Sequence, residues 1–235
     1  MPGAQERHHH LPEFVAWKIP WLPALAAAVA AVLFARLPDQ FIFGTHQTVA
    51  AVVRWLVPGL VLLLLFALIV IHWEELRIHH TIRSFLRRRM AIALIAVISA
   101  ANVLSVFLLV RFIINGGHSS GHQLVISAIN IWWTNIIVFG LWFWELDRGG
   151  PAARAHHSER EPDFLFPQMA TPEIFTKPID PGFIDYFYVS FTNAAAFSPT
   201  DTMPLTGRAK ILMLAEAGIS LLTLLMVASR AVNIL

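Results

Sequence analysis

The chain has 235 residues, of which 57% are apolar and 14% are charged. Because soluble domains carry about a quarter charged residues, this composition predicts an all-α, polytopic integral membrane protein. The formal net charge of +2 is too weak and dispersed for a nucleic-acid partner, and the absence of cysteine excludes disulfides and thiolate chemistry.

Apolar runs define the predicted spans, since about 20 apolar residues cross a bilayer core of about 30 Å. Residues 1–20 lack the pattern of a signal peptide, so we expect a retained cytoplasmic tail. Spans are then predicted at about 21–37, 49–73, 91–114, 124–144 and 211–235.

Arginine is concentrated between the second and third spans and absent from residues 115–123. By the positive-inside rule, residues 74–90 are therefore a cytoplasmic loop. Two interpretations are open for it: a solvated loop that only sets the topology, or an interfacial helix on the inner headgroups. The basic residues of the loop are Arg77, Arg83, Arg87, Arg88 and Arg89. Its apolar residues at helical spacing are Ile78, Ile82, Phe85 and Leu86.

Residues 147–181 form a Pro-rich polar linker, expected to be cytoplasmic and irregular. Its His156, His157, Glu159 and Glu161 are either a metal or proton site or ordinary residues of a mobile linker. Adjacent histidines beside prolines rarely converge on a metal, which favours the linker. The chain has no His-Glu-x-x-His motif and no glycine-rich phosphate loop. We expect no enzymatic activity, no catalytic residue, no metal site and no cofactor.

Between the fourth and fifth spans, the segment 183–197 is apolar but only about 15 residues long, and it breaks at Phe197-Ser198-Pro199-Thr200-Asp201. Irregular backbone at membrane depth persists only where it is buried in protein or lines a cavity. The segment is either re-entrant, giving five spans and an external C-terminus, or it crosses fully, giving six spans and an internal C-terminus. In a third alternative, the first, Ala-rich stretch does not span the membrane.

Polar residues inside apolar spans are costly and therefore informative. Glu216, Ser220 and Thr223 share one face of the last span by their spacing. Four roles are open for Glu216: binding a cation, carrying a proton, forming a structural ion pair with Arg54 or Lys210, or reaching the membrane interface with its carboxyl. Similar stripes on the third and fourth spans either bond helices together or line a path. They consist of Ser99 and Asn102, and of Ser127, Asn130 and Thr134.

The C-terminal residues 182–235 resemble the pore module of two-span pore-loop potassium channels. The likeness rests on the stretch from Asp185 to Thr192, on Ala196-Phe-Ser-Pro-Thr-Asp201 and on Pro204-Leu-Thr-Gly-Arg208. Ser198 and Thr200 stand where those channels have filter glycines, and Pro199 restrains the backbone between them. Ordinary potassium selectivity is therefore not implied.

The whole chain also resembles bacterial integral membrane proteins of unknown function that share an Arg-rich second loop, a polar linker and an aromatic segment ending in Asp. These resemblances imply a multi-pass protein of a bacterial inner membrane.

The leading functional expectation is channel-like transport of ions or small solutes. Its constriction is expected at Phe197 to Asp201, with Glu216, Thr192 and Asn193 lining the approach. The expected partners are the lipid bilayer, further copies of the chain and an inorganic cation. The alternative is a non-conducting membrane scaffold or assembly factor, in which the polar stripes pack helices and the linker docks a partner.

Overall fold

The computed structural model of the chain describes residues 21–36, 58–63, 65–66, 81–116, 120–155, 160–175, 180–198 and 201–232. They are mostly helical, and residues 58–63 and 65–66 are helical as well. The named helices are α1 (Trp21–Ala35), α2 (Thr81–Ile114), α3 (Gly121–Leu146), α4 (Pro151–Ala155), α5 (Pro167–Ala170), α6 (Phe183–Ala196) and α7 (Gly207–Val232). Short 3₁₀ turns lie at Asp147–Gly149 and Pro172–Ile174, and the two-residue strands β1 (Phe164–Leu165) and β2 (Met203–Pro204) pair antiparallel.

Within the described part of the chain, three segments are long and apolar enough to cross a membrane: Leu86–Ile114, Gly121–Gly149 and Gly207–Ser229. They confirm the prediction of long apolar helices near 91–114, 124–144 and 211–235. Helix α1 is apolar but has only 15 residues, or about 22 Å of length. Most of the predicted span 49–73 lies outside the described residues.

The Arg-rich segment differs from its prediction, because residues 81–90 belong neither to a loop nor to a separate interfacial helix. Helix α2 begins at Thr81 and continues to Ile114. Neither Gly nor Pro interrupts this stretch, and Arg is a good helix former, so the helix extends beyond the apolar part of the span. Arg87, Arg88 and Arg89 therefore lie on the first turns of α2, while residues 74–80 lie outside the described part of the chain.

The Pro-rich linker also differs from its prediction of irregular structure. It contains α4, β1 and α5, and Asp163, Phe164 and Phe166 within it are buried. Burial of two phenylalanines supplies the favourable free energy that fixes this stretch on the bundle. Glu161 is exposed, whereas His156, His157 and Glu159 lie outside the described residues.

Helix α6 runs antiparallel to α3. Near its start, the Phe183 ring contacts Trp144 close to the end of α3, with centroids 6.0 Å apart. Further along, the Ser190 hydroxyl donates to the carbonyl of Ile136 at 2.7 Å. The two backbones approach closely at Gly140, where an added Cβ would lie 3.2 Å from the Cα of Phe187.

Helix α7 starts at the same end of the bundle and also runs antiparallel to α3. Arg208, in its first turn, binds Asp163, whose backbone N–H donates to the Asp147 carboxylate just after α3. Deeper in the bundle, Ser220 of α7 binds Asn135 of α3. Since α6 and α7 are both antiparallel to α3, they run in the same direction.

The connection between α6 and α7 must therefore return to the end of the bundle at which α6 began. Helix α6 ends at Ala196, and the next residue, Phe197, has a left-handed backbone with φ 53°. The chain comes back through β2, which pairs with β1, and the N–H of Leu205 donates to the carbonyl of Asp163 at 2.8 Å. With 14 residues against 26, α6 is about half as long as α7. We refer to residues 197–206 as the return loop.

Candidate functional site

Asn135, in the middle of α3, joins three helices through its side-chain amide. Its Oδ1 accepts from Nδ2 of Asn102 on α2 at 3.3 Å. Its Nδ2 donates to the carbonyl of Glu216 at 3.1 Å and to the hydroxyl of Ser220 at 2.9 Å, both on α7. All four residues are buried. Buried amides need such partners, because an unpaired polar group in an apolar interior is costly.

The Glu216 carboxyl connects α6 to the same centre. Asn193 donates from Nδ2 to Glu216 Oε2 at 2.7 Å and also to the carbonyl of Met213 at 2.9 Å. The Ser190 hydroxyl contacts Glu216 Oε1 as well as the carbonyl of Ile136. Glu216 is 0% exposed. We refer to these side chains as the polar network, and its members are Asn102, Asn135, Ser190, Asn193, Glu216 and Ser220.

Within the described residues, Glu216 forms neither of the two ion pairs considered for it. Lys210 is exposed on the first turns of α7, and the ion pairs within the described ranges do not include Glu216. Arg54 lies outside those ranges. The carboxyl is instead held by neutral donors.

Several hydroxyls predicted as candidates bond to their own helices. Thr192 donates to the carbonyls of Tyr188 and Val189, each at 3.0 Å, and Thr134 donates to the carbonyl of Asn130 at 2.8 Å. The hydroxyls of Ser127 and Thr223 likewise donate to carbonyls four residues earlier. Ser and Thr in helices commonly satisfy themselves in this way. These residues are not brought together with Glu216 by hydrogen bonds.

The predicted constriction lies at the far end of α6. Phe197 and Ser198 are exposed where α6 ends, and Asp201 is exposed further along the return loop. Pro199 and Thr200 lie outside the described residues. The structure thus separates the candidates into a buried group around Glu216 and an exposed group on the return loop.

The sequence prediction omits Asn135 and does not select Ser190. On α3 the regular spacing of Ser127, Asn130 and Thr134 led to their selection as the polar face, although Asn130 is only half-buried. The available signal was position rather than spacing, because Asn102 and Asn135 are both amides far from the ends of apolar helices. An amide there cannot reach water and requires a partner on another helix.

A second polar cluster ties the start of α6 to the end of α3. The buried Asp147 carboxylate accepts from the Tyr186 hydroxyl at 2.5 Å, from the Asp163 N–H at 2.7 Å and from Arg148 Nε at 3.3 Å. Arg154 donates from Nη1 to the carbonyls of Trp144 and Asp147, each at 2.8 Å.

The Arg154 guanidinium lies over the Trp144 ring, 4.2 Å from its centroid. Desolvation lowers the pKa of Arg154, and the Asp147 carboxylate acts in the opposite direction. Stacking on the ring and two carbonyl acceptors stabilise this half-buried cation.

Asp163 extends this cluster to the start of α7. Its buried carboxylate accepts two hydrogen bonds from the Arg208 guanidinium, one at 2.6 Å from Nε, and one from the Thr206 hydroxyl at 2.5 Å. A two-point Arg–carboxylate contact fixes both distance and orientation. We refer to the residues that join α3, α6 and α7 at this end as the anchor, namely Asp147, Arg154, Asp163, Tyr186, Thr206 and Arg208.

The loop before α3 contains a Gly-x-Ser-x-Gly spacing at residues 117–121 that the expectation of no enzymatic activity did not take into account. In a nucleophile elbow this motif joins a strand to a helix. Here it follows helix α2 and precedes α3. Residues 117–119 lie outside the described part of the chain, and we assign the motif no role.

No protein-family model, curated protein or solved structure matches this chain. The features that bear on function are therefore the polar network, the anchor and the course of the return loop.

Proposed function

We propose that several copies of this chain assemble into a channel-like pore for ions or small solutes, with the return loop at its constriction. One observation carries this proposal: α6 and α7 run in the same direction, and the loop between them returns to the end of the bundle at which α6 began. In a membrane this course corresponds to a short re-entrant helix, a returning loop and a full crossing. Such irregular backbone is stable at membrane depth only when protein or a water-filled path surrounds it.

The buried polar groups support the proposal as positioning residues. Ser190 and Asn193 hold α6 against α3 and α7, and the anchor holds the starts of α6 and α7. Phe197 and Ser198 are left exposed at the end of α6, where further copies of the chain can contact them. In this proposal Glu216 holds the re-entrant helix in place and does not line the pore.

The proposed topology has five spans in a bacterial inner membrane. With the Arg-rich start of α2 in the cytoplasm, the end of α3 and the start of α7 face the cytoplasm, and the end of α7 faces outward. The outward-facing apolar side chains of α7, such as Leu214 at 74% exposure, meet lipid or neighbouring copies.

Flux through liposomes tests the proposal, and the absence of native cysteine makes site-specific blocking possible. The Ser198→Cys variant is reconstituted, treated with a bulky thiol reagent on both sides, and assayed for release of monovalent cations and small neutral solutes. We expect modification to reduce flux. The matched control is Ser229→Cys, exposed near the end of α7, where modification is expected to have no effect. Wild-type liposomes as tight as protein-free ones, or equal block of both variants, contradict the proposal.

The alternative, a non-conducting scaffold or assembly factor, is favoured by a different observation. Ile174 is 72% exposed on the segment between α5 and α6, outside the long apolar helices. In this alternative the polar network serves only to pack helices, and Ile174 contributes to a protein contact. It predicts no flux from the wild-type protein, and loss of a co-purifying partner in Ile174→Ser but not in Glu173→Gln beside it.

A further inference from the structure

The polar contacts around Ser190 and Glu216 need one more hydrogen than the Ser190 hydroxyl supplies. The Ser190 hydroxyl oxygen contacts two acceptors, the carbonyl oxygen of Ile136 at 2.7 Å and Oε1 of Glu216. A serine hydroxyl carries a single hydrogen. If it is donated to Ile136, the contact between Ser190 and Glu216 needs a hydrogen from elsewhere.

The neighbouring donors cannot supply that hydrogen. The two amide hydrogens of Asn193 are directed to Glu216 Oε2 at 2.7 Å and to the Met213 carbonyl at 2.9 Å. Those of Asn135 are directed to the Glu216 carbonyl and to Ser220. The remaining source is Glu216 itself.

We propose that Glu216 is a proton-binding site, held as a neutral carboxylic acid whose proton lies on Oε1. The acid donates to the Ser190 hydroxyl, Ser190 donates to the Ile136 carbonyl, and Oε2 accepts from Asn193. Every contact then contains one hydrogen. The ligand of this site is a proton, and the site lies between α3, α6 and α7.

The charges on the surrounding helices agree with a neutral acid. The described charged residues of α2, α3, α6 and α7 include no ion-pair or hydrogen-bond partner of the Glu216 carboxyl. A carboxylate without a cationic partner is very unfavourable in a low-dielectric interior, so such groups take up a proton instead. The charged side chains that the structure describes on those helices are, besides Glu216, Arg87, Arg88, Arg89 and Arg111, then Glu145, then Asp185, and then Arg208 and Lys210.

Release of the proton has a specific structural consequence. The carboxylate would then compete with the Ile136 carbonyl for the one Ser190 hydrogen, so Ser190 would keep only one of its two hydrogen bonds, either to α3 or to α7. The proton on Glu216 therefore allows Ser190 of α6 to form hydrogen bonds to both α3 and α7. This inference does not require that the protein conducts, because it concerns one chain and one carboxyl.

Infrared spectroscopy of the purified protein tests the proton directly. At pH 7 we expect the wild-type protein to show the carbonyl stretch of a buried protonated carboxylic acid, and the Glu216→Gln variant to lack it. Glutamine imitates the neutral acid, since its amide nitrogen donates to Ser190 and its oxygen accepts from Asn193. The matched control is Glu161→Gln, at an exposed glutamate, and it is expected to keep the band. Identical spectra of the wild-type protein and Glu216→Gln overturn the proposal.

A stability series over pH gives an independent readout. The side chain of a free Glu has a pKa of about 4.3. If folded Glu216 keeps its proton at pH 7, the folded state binds more protons than the unfolded state once the pH exceeds the pKa of a free Glu. The free energy of unfolding therefore falls as the pH rises. We expect the melting temperature of the wild-type protein to decline relative to Glu216→Gln between about pH 5 and pH 9. If the melting temperatures of the wild-type protein and Glu216→Gln change equally with pH, the proposal is overturned.

Should Glu216→Gln not fold, Ser190→Ala supplies the test. It removes the acceptor of the acid proton, so the acid band is expected to persist and to shift to higher frequency. An absent or unshifted band overturns the proposal. Because these readouts are spectroscopic and thermal, failure of the proton site is distinguishable from failure of conduction.

Discussion

Replacing Tyr186 with Phe isolates one hydrogen bond of the anchor. The substitution keeps the buried ring and removes the hydroxyl that donates to Asp147 Oδ2 at 2.5 Å. A hydrogen bond to a charged group contributes about 1.5–3 kcal/mol. Asp147 keeps its contacts with the Asp163 N–H and Arg148, so we expect the lower part of that range, about 1.5–2 kcal/mol. At about 2–4 °C per kcal/mol for a chain of this size, the melting temperature should fall by about 3–8 °C.

The chain supplies its own control, because it contains two tyrosines on the same helix. Tyr188 is 48% exposed, and Tyr188→Phe is expected to change stability by less than about 0.5 kcal/mol. Both variants are compared with the wild-type protein in the same detergent by thermal unfolding followed by circular dichroism. Equal melting temperatures for the two variants would contradict this expectation, because the hydrogen bond to Asp147 would then contribute nothing to the attachment of α6.

Two further substitutions test how the helices pack, each against a control in the same class of position. Gly140→Ala places a methyl group 3.2 Å from the Phe187 backbone and is expected to cost about 1–3 kcal/mol in thermal unfolding. Gly218→Ala meets open space and is expected to stabilise by about 0.5–1 kcal/mol, so similar effects of the two changes contradict the packing described. Asn135→Leu removes three interhelical hydrogen bonds and is expected to cost about 2 kcal/mol in the same assay, at about 0.6 kcal/mol per bond. Asn130→Leu is expected to be nearly neutral, and an equal cost contradicts the role of Asn135.

The helical class and the positions of the long apolar helices followed from composition and run length. The shared face of Glu216, Ser220 and Thr223 also followed from the sequence, since their spacing fixes their direction on any helix and all three are buried. The start of α2 did not, because hydropathy ends at the arginines while the helix continues through them. The prediction of spans depends on the free energy of transferring side chains from water into the membrane. The ends of a helix depend on the helix propensity of its residues.

The parts of the site that the sequence could not supply depend on contacts between distant residues. Asp163 and Phe164 lie in a Pro-rich stretch whose average composition resembles a linker, yet they bind the start of α7 and the core. Ser190 and Asn135 acquire their roles only when α3, α6 and α7 are placed side by side. The direction of α6 relative to α7 is a tertiary property, and the local sequence of either helix is compatible with both directions.

The proposed pore requires that the return loop comes back to the side of the membrane from which α6 entered. Single cysteines at Asp180, Leu205 and Ser229, all at exposed positions, are labelled with an impermeant thiol reagent in sealed vesicles of known orientation. The account predicts that positions 180 and 205 label from the same side and position 229 from the opposite side. Labelling of positions 180 and 205 from opposite sides would mean that α6 crosses the membrane, and it would contradict the re-entrant arrangement and the pore proposed from it.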